Sequence, residues 1–128
     1  MKFKLLVVAT VLLTAATTWA HHGTAEFDLT KALHLSGTVS QTEWANPHVL
    51  IHLRVAGADR QVTEWLVECP PPNWMKRSGL TQSALAVGTE LAIEGYQAKD
   101  GSNRFRAANY TVEQKDGKLT VKGPIGWP

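Results

Sequence analysis

From Leu33 to Ser40 apolar and polar positions alternate, with Leu33, Leu35, Gly37 and Val39 on one side and His34, Ser36, Thr38 and Ser40 on the other. That period of two predicts a half-buried strand. Trp44-Ala45-Asn46-Pro47 interrupts it, because Pro47 cannot donate to a ladder and biases Asn46 out of the helical region. From His48 the alternation resumes, Val49, Ile51, Leu53 and Val55 facing one way and His48, Leu50, His52 and Arg54 the other. Ala56 to Arg60 has turn composition and leads into a third run, Gln61 to Cys69, in which Thr63, Trp65 and Val67 alternate with Glu64, Leu66 and Glu68. Strands two and three are expected to form a hairpin, with Trp65 in the core outright by its phase with Val67. Pro70-Pro71-Pro72 stops the sheet. Asn73 is the expected N-cap of a single turn through Trp74 to Arg77 that ends near Gly79, and Thr81 the cap of a second turn, Gln82 to Val87. Thr89 to Tyr96 and Phe105 to Glu113 read as strands four and five around an Asp100-Gly101 turn, and Leu119 to Lys122 as a short edge strand after Asp116-Gly117.

Three strands, a short helical connection and two or three more strands follow the order of a five-stranded OB-type barrel, in which a helix lies between strands three and four. The expected fold is therefore mainly β, a small OB-like barrel of five or six strands, with a small open β-sandwich as the alternative. Residues 1–20 form a leader, 21–32 a polar lead, 33–122 the barrel domain and 123–128 a tail that Gly123, Pro124, Gly126 and Pro128 keep irregular.

The leader changes the charge. Lys2 and Lys4 precede an apolar stretch, Leu5 to Leu13, and small residues ending in Thr18-Trp19-Ala20. This is the pattern of a secretory signal, too short to span a bilayer, with cleavage expected after Ala20 and a weaker alternative after Ala16. The periplasm is the expected compartment, with no membrane anchor left after cleavage. The full chain of 128 residues carries a net charge of +2, yet without Lys2 and Lys4 eleven Lys/Arg face eleven Asp/Glu. A balanced mature surface has no basic excess for nucleic acid. The chain is long enough for one core and too short for two. Cys69 is the only cysteine, so no intramolecular disulfide forms, and it is expected to be a small buried apolar residue.

Candidate chemistry is sparse. His48 and His52 share a strand face, but four residues along a strand span about 13 Å, too far for one ion. Glu64 and Glu68 fail as a glycosidase pair by the same geometry. No serine lies in a nucleophile motif and no phosphate-binding glycine loop is present, so no catalytic residue is assigned and an enzyme is not expected. If cleavage falls after Ala20, the α-amine and imidazole of His21 form a two-nitrogen chelate suited to copper, which His22 and, from its bend, His48 could complete. Trp44, Asn46 and His48 at the bend and Trp74 after the prolines are the candidates to line a binding groove at the barrel mouth.

His21-His22-Gly23, Glu26-Phe27-Asp28, Gly37-Thr38-Val39, Trp44-Ala45-Asn46-Pro47-His48, the Trp65 to Glu68 strand before proline, Arg77-Ser78-Gly79-Leu80, Gly88, Glu94-Gly95-Tyr96 and Asp100-Gly101-Ser102 together resemble domain-of-unknown-function family 6152, small exported bacterial proteins. The resemblance covers nearly all of the mature chain and implies a single exported β-barrel-like domain, with no activity or catalytic residues to carry over. The expected function is a non-enzymatic periplasmic binding or accessory module for a small ligand or a periplasmic protein. Copper binding through His21 is the alternative.

Overall fold

The computed structural model of the protein describes residues 23–113 and 120–124. After a 3-10 turn (Gly23–Glu26) come β1 (Phe27–Glu43), β2 (Leu50–Ala56), β3 (Val62–Glu68), a short helix α1 (Pro72–Arg77), β4 (Glu90–Ala98), β5 (Arg104–Glu113) and β6 (Thr120–Pro124). The protein is mainly β, as the alternation predicts. The strands form one sheet in the order β3-β2-β1-β4-β5-β6, with antiparallel neighbours throughout. In addition β3 pairs with β5 in parallel, Leu66 with Arg104, Val67 with Phe105 and Glu68 with Arg106. β1 to β4 therefore have two paired neighbours each and β5 has three, and the pairings run round the ring β1-β2-β3-β5-β4.

The inward residues are those the period of two selects on β2 and β3. Ile51 faces Val67 and Leu53 faces Trp65 across the hairpin, and Ile51, Leu53 and Val67 are fully buried. Leu35, Val39, Leu91, Ile93, Phe105, Met75, Leu80 and Leu85 complete the same cluster, so α1 and the turn after it close its underside. Two glycines let strands cross closely. A Cβ on Gly37 would strike the Arg54 carbonyl, and one on Gly95 would strike the Arg106 carbonyl and come within 2.8 Å of the Phe105 ring. No side chain fits at either point.

Several boundaries differ from the sequence expectation. β1 begins at Phe27, inside the supposed polar lead, and Phe27 pairs with Ala98 while the next paired residue is Ala32. Residues 28–31 bulge outward, fixed by Asp28 accepting from the Thr30 amide and hydroxyl, and this hides the strand from a period-two reading. Trp65 is half-buried, its ring edge-on to Phe105 at 6.0 Å, because it sits where β3 leaves the ring toward Val62. Asn73 is exposed within α1, whose first residue is Pro72, since proline already has the dihedral of a first helical position. The Thr81 cap stands: its hydroxyl accepts from the Ala84 amide at 3.2 Å. Gly123 and Pro124 lie in β6 and not in an irregular tail, tolerated there because β6 pairs only with β5 in the sheet order. The leader, His21, His22 and Asp116-Gly117 lie outside the described residues.

Candidate functional site

The β1–β2 connection, residues 44–49, and the β4–β5 turn, residues 99–103, flank the outward face of β2 and β3. Two bulges set what that face presents. On β1, Val39 pairs with Leu53 but Gln41 pairs with His52, so Ser40 is the extra residue and its hydroxyl donates to the His52 carbonyl at 3.1 Å. The phase of β1 inverts there. Thr42 and Trp44 pass to the core side, where Trp44 packs on the cluster with its Nε1 donating to Thr42 Oγ1 at 3.1 Å. Glu43 turns outward. On β5 the skipped residue is Ala108, which brings Tyr110 inward, its hydroxyl donating to the Ser78 carbonyl.

Outward-turned Glu43 meets His52. Its Oε1 lies 2.8 Å from His52 Nε2, while Glu64 Oε1 on β3 lies 3.0 Å from Nδ1. Ionised carboxylates only accept, so this geometry favours the imidazolium, the form in which both ring nitrogens donate. Glu43, then Glu64, holds the His52 proton on above the ordinary histidine range, against the opposing effect of partial burial. The three side chains come from three adjacent strands.

A second chain of contacts runs beside the bend. His48 Nδ1 donates to the Cys69 carbonyl at 3.2 Å and its Nε2 stands 3.5 Å from Glu68 Oε1. Glu68 Oε2 is 3.9 Å from Arg104 Nη2, which donates to Glu26 Oε2 at 2.7 Å while the guanidinium lies over Phe27, 5.7 Å from its centroid. The Glu26 carboxylate, burial notwithstanding, raises the Arg104 pKa. Arg106, 7% exposed, has its pKa lowered by burial, with Glu68 opposing. Between these charged groups sit Leu50 and Leu66, half-buried and outward: Leu50 pairs with Glu68, His52 with Leu66 and Arg54 with Glu64. The face alternates apolar and charged positions.

The sequence-predicted site residues part company here. Asn46 is exposed and joined to Pro47 by a cis peptide bond. The His48 ring is partly exposed and rests between the Cys69 carbonyl and Glu68. Trp74 is half-buried with the Arg77 guanidinium 5.3 Å over its ring. Cys69 is fully buried, and burial drives its thiol pKa up, which makes it inert as a nucleophile. Among the described residues no three His, Cys, Asp or Glu side chains converge to hold a metal ion. Glu43 and Arg104 were missed by sequence reasoning, the first because a bulge reverses its side, the second because its partners are 36 and 78 positions distant. The pairing of His52 with Glu64 was within reach, since both lie on the outward side of a hairpin.

Residues 8–106 match the family of unknown function DUF6152. The chain belongs to that family. A comparison with curated proteins gives no match.

Proposed function

We propose that this member of the DUF6152 family is an exported, non-enzymatic binding module on an OB-type barrel, and that the outward face of β2 and β3 is its contact surface. The ring β1-β2-β3-β5-β4, with a parallel β3–β5 pair and a helix between β3 and β4, supports the OB-type reading. In that architecture ligands lie across the strand 2–3 face between the loops after strands 1 and 4, the place occupied here by residues 44–49 and 99–103. The observation that carries the proposal is the composition of this face: Leu50 and Leu66 set among His52, Glu43, Glu64, Glu68 and Arg104, whose side chains are already held by one another.

Such a mixed surface suits a protein partner in the periplasm. Apolar anchors supply burial, and charges fixed before contact cost little ordering on binding. The experiment is affinity purification of the exported protein after mild crosslinking in cells, wild type against Leu50→Glu and Leu66→Glu. Wild type is expected to bring down a partner in near-stoichiometric amount and the variants, folded by circular dichroism, are expected to lose it. Equal recovery by all three overturns the proposal.

A further inference from the structure

On the opposite part of the sheet, β1, β4 and β5 carry a half-open concavity of about 270 Å³ with no role in the proposed contact face. Its floor is a cross-strand row of small side chains, Ser36, Ala92 and Thr111, and its wall is the next row, His34, Glu94 and Asn109. Ala92 on the central strand leaves the hollow. The wall is tied together at Glu94, whose Oε1 accepts from Asn109 Nδ2 at 2.9 Å and whose Oε2 lies 3.4 Å from His34 Nε2.

Those contacts spend one N–H of Asn109 Nδ2, and His34 Nε2, on Glu94 itself. The lining then holds one group that only accepts, the Glu94 carboxylate with lone pairs to spare, beside the Asn109 side-chain amide and the hydroxyls of Ser36 and Thr111, which can turn to accept. An anion would meet Glu94 head-on, and a purely apolar group would leave the carboxylate desolvated. A planar cation with several donors satisfies the set, since its fork spans a carboxylate and a flanking hydroxyl together. We propose that this concavity is a binding site for an alkyl guanidinium group.

The test is a titration of the mature, 15N-labelled protein at low salt with methylguanidinium, followed by backbone amide shifts, alongside methylurea, the neutral compound of the same shape. Methylguanidinium is expected to produce saturable shifts centred on Ala92, Glu94 and Thr111, with methylurea at least tenfold weaker. Glu94→Gln is expected to weaken methylguanidinium at least tenfold. Ala92→Leu, which fills the hollow and keeps the charge, abolishes the shifts while the rest of the spectrum stays in place. Non-saturable shifts, equal response to methylurea, or an unchanged affinity in Glu94→Gln each overturn the proposal. Agmatine and a blocked Gly-Arg-Gly peptide then distinguish the source: tighter binding of the peptide points to an arginine of a protein chain, tighter binding of agmatine to a small guanidino compound, and both uphold the site.

Discussion

Replacing His52 by leucine removes the imidazolium that joins β1 to β3 while leaving a residue that fits a half-buried strand position between Leu50 and Leu66. The lost interactions are two charge-assisted hydrogen bonds, at 2.8 and 3.0 Å, to carboxylates whose side chains are 47% and 57% exposed. Buried bonds to charged groups contribute about 1.5–3 kcal/mol each, but exposed ion pairs only about 0.2–1, so the pair together is worth about 1–2 kcal/mol. For a domain of this size that lowers the Tm by roughly 4–8 °C per kcal/mol. The sign with pH follows from the direction of the shift. The folded-state pKa of His52 is raised, so its contribution is complete below the unfolded value of 6.5 and disappears as pH rises through the higher folded value. Urea unfolding of wild type and His52→Leu at about pH 6 and about pH 9, at low salt, reads this directly, with a difference of about 1–2 kcal/mol at the lower pH and less than about 0.5 at the higher. A wild-type advantage that is equal at both pH values, or larger at the higher one, would refute the imidazolium. Glu43→Gln supplies a control, since it removes the stronger of the two partners and flattens the pH dependence.

Gly95→Ala places a methyl group against the Arg106 carbonyl and the Phe105 ring, and overpacking of this kind costs about 1–3 kcal/mol, seen as a lower denaturant midpoint; an unchanged midpoint would mean that β4 and β5 do not approach as described. Phe27→Ala is expected to cost about 3–5 kcal/mol, a core value, although residue 27 lies outside the alternating region, because its ring is 1% exposed beneath Arg104. A loss below about 1 kcal/mol, the scale of a surface substitution, would show that the segment before Ala32 does not belong to the domain. Isothermal titration with Cu(II) tests the copper alternative. If the chain starts at His21, His21→Ala is expected to weaken binding at least tenfold, whereas His48→Ala leaves it unchanged because the His48 ring is turned onto the Cys69 carbonyl and Glu68. Equal loss in His48→Ala would place that ring in the copper site.

The alternation made the central stretches of β2, β3 and β4 legible because there the side chains obey a period of two: Ile51, Leu53, Val67, Leu91 and Ile93 are all buried, as their phase requires. Where the chain departs from that period, sequence reasoning lost it. The Ser40 and Ala108 bulges reverse Glu43 and Tyr110, and nothing local marks either residue as the one skipped by its partner strand. The candidate site was half legible. His48 and the bend were singled out for their chemistry, yet the groups that organise the face, Glu43, Glu68 and Arg104, meet only through strand register and through ties such as that of Arg104 to Glu26, 78 residues away. Three successive prolines stopped the sheet in the right place, but Pro72 itself, not Asn73, opens the helix.

The contact face is tested most directly by a photoreactive benzoyl-phenylalanine placed at position 50 or at position 87 and activated in living cells. Val87 is the better control for mere stickiness, since it is 75% exposed whereas Leu50 is half-buried. A discrete crosslinked product from position 50 and none from position 87 is the predicted outcome. A product from position 87 alone, or indistinguishable products from both, would contradict the assignment of the β2–β3 face.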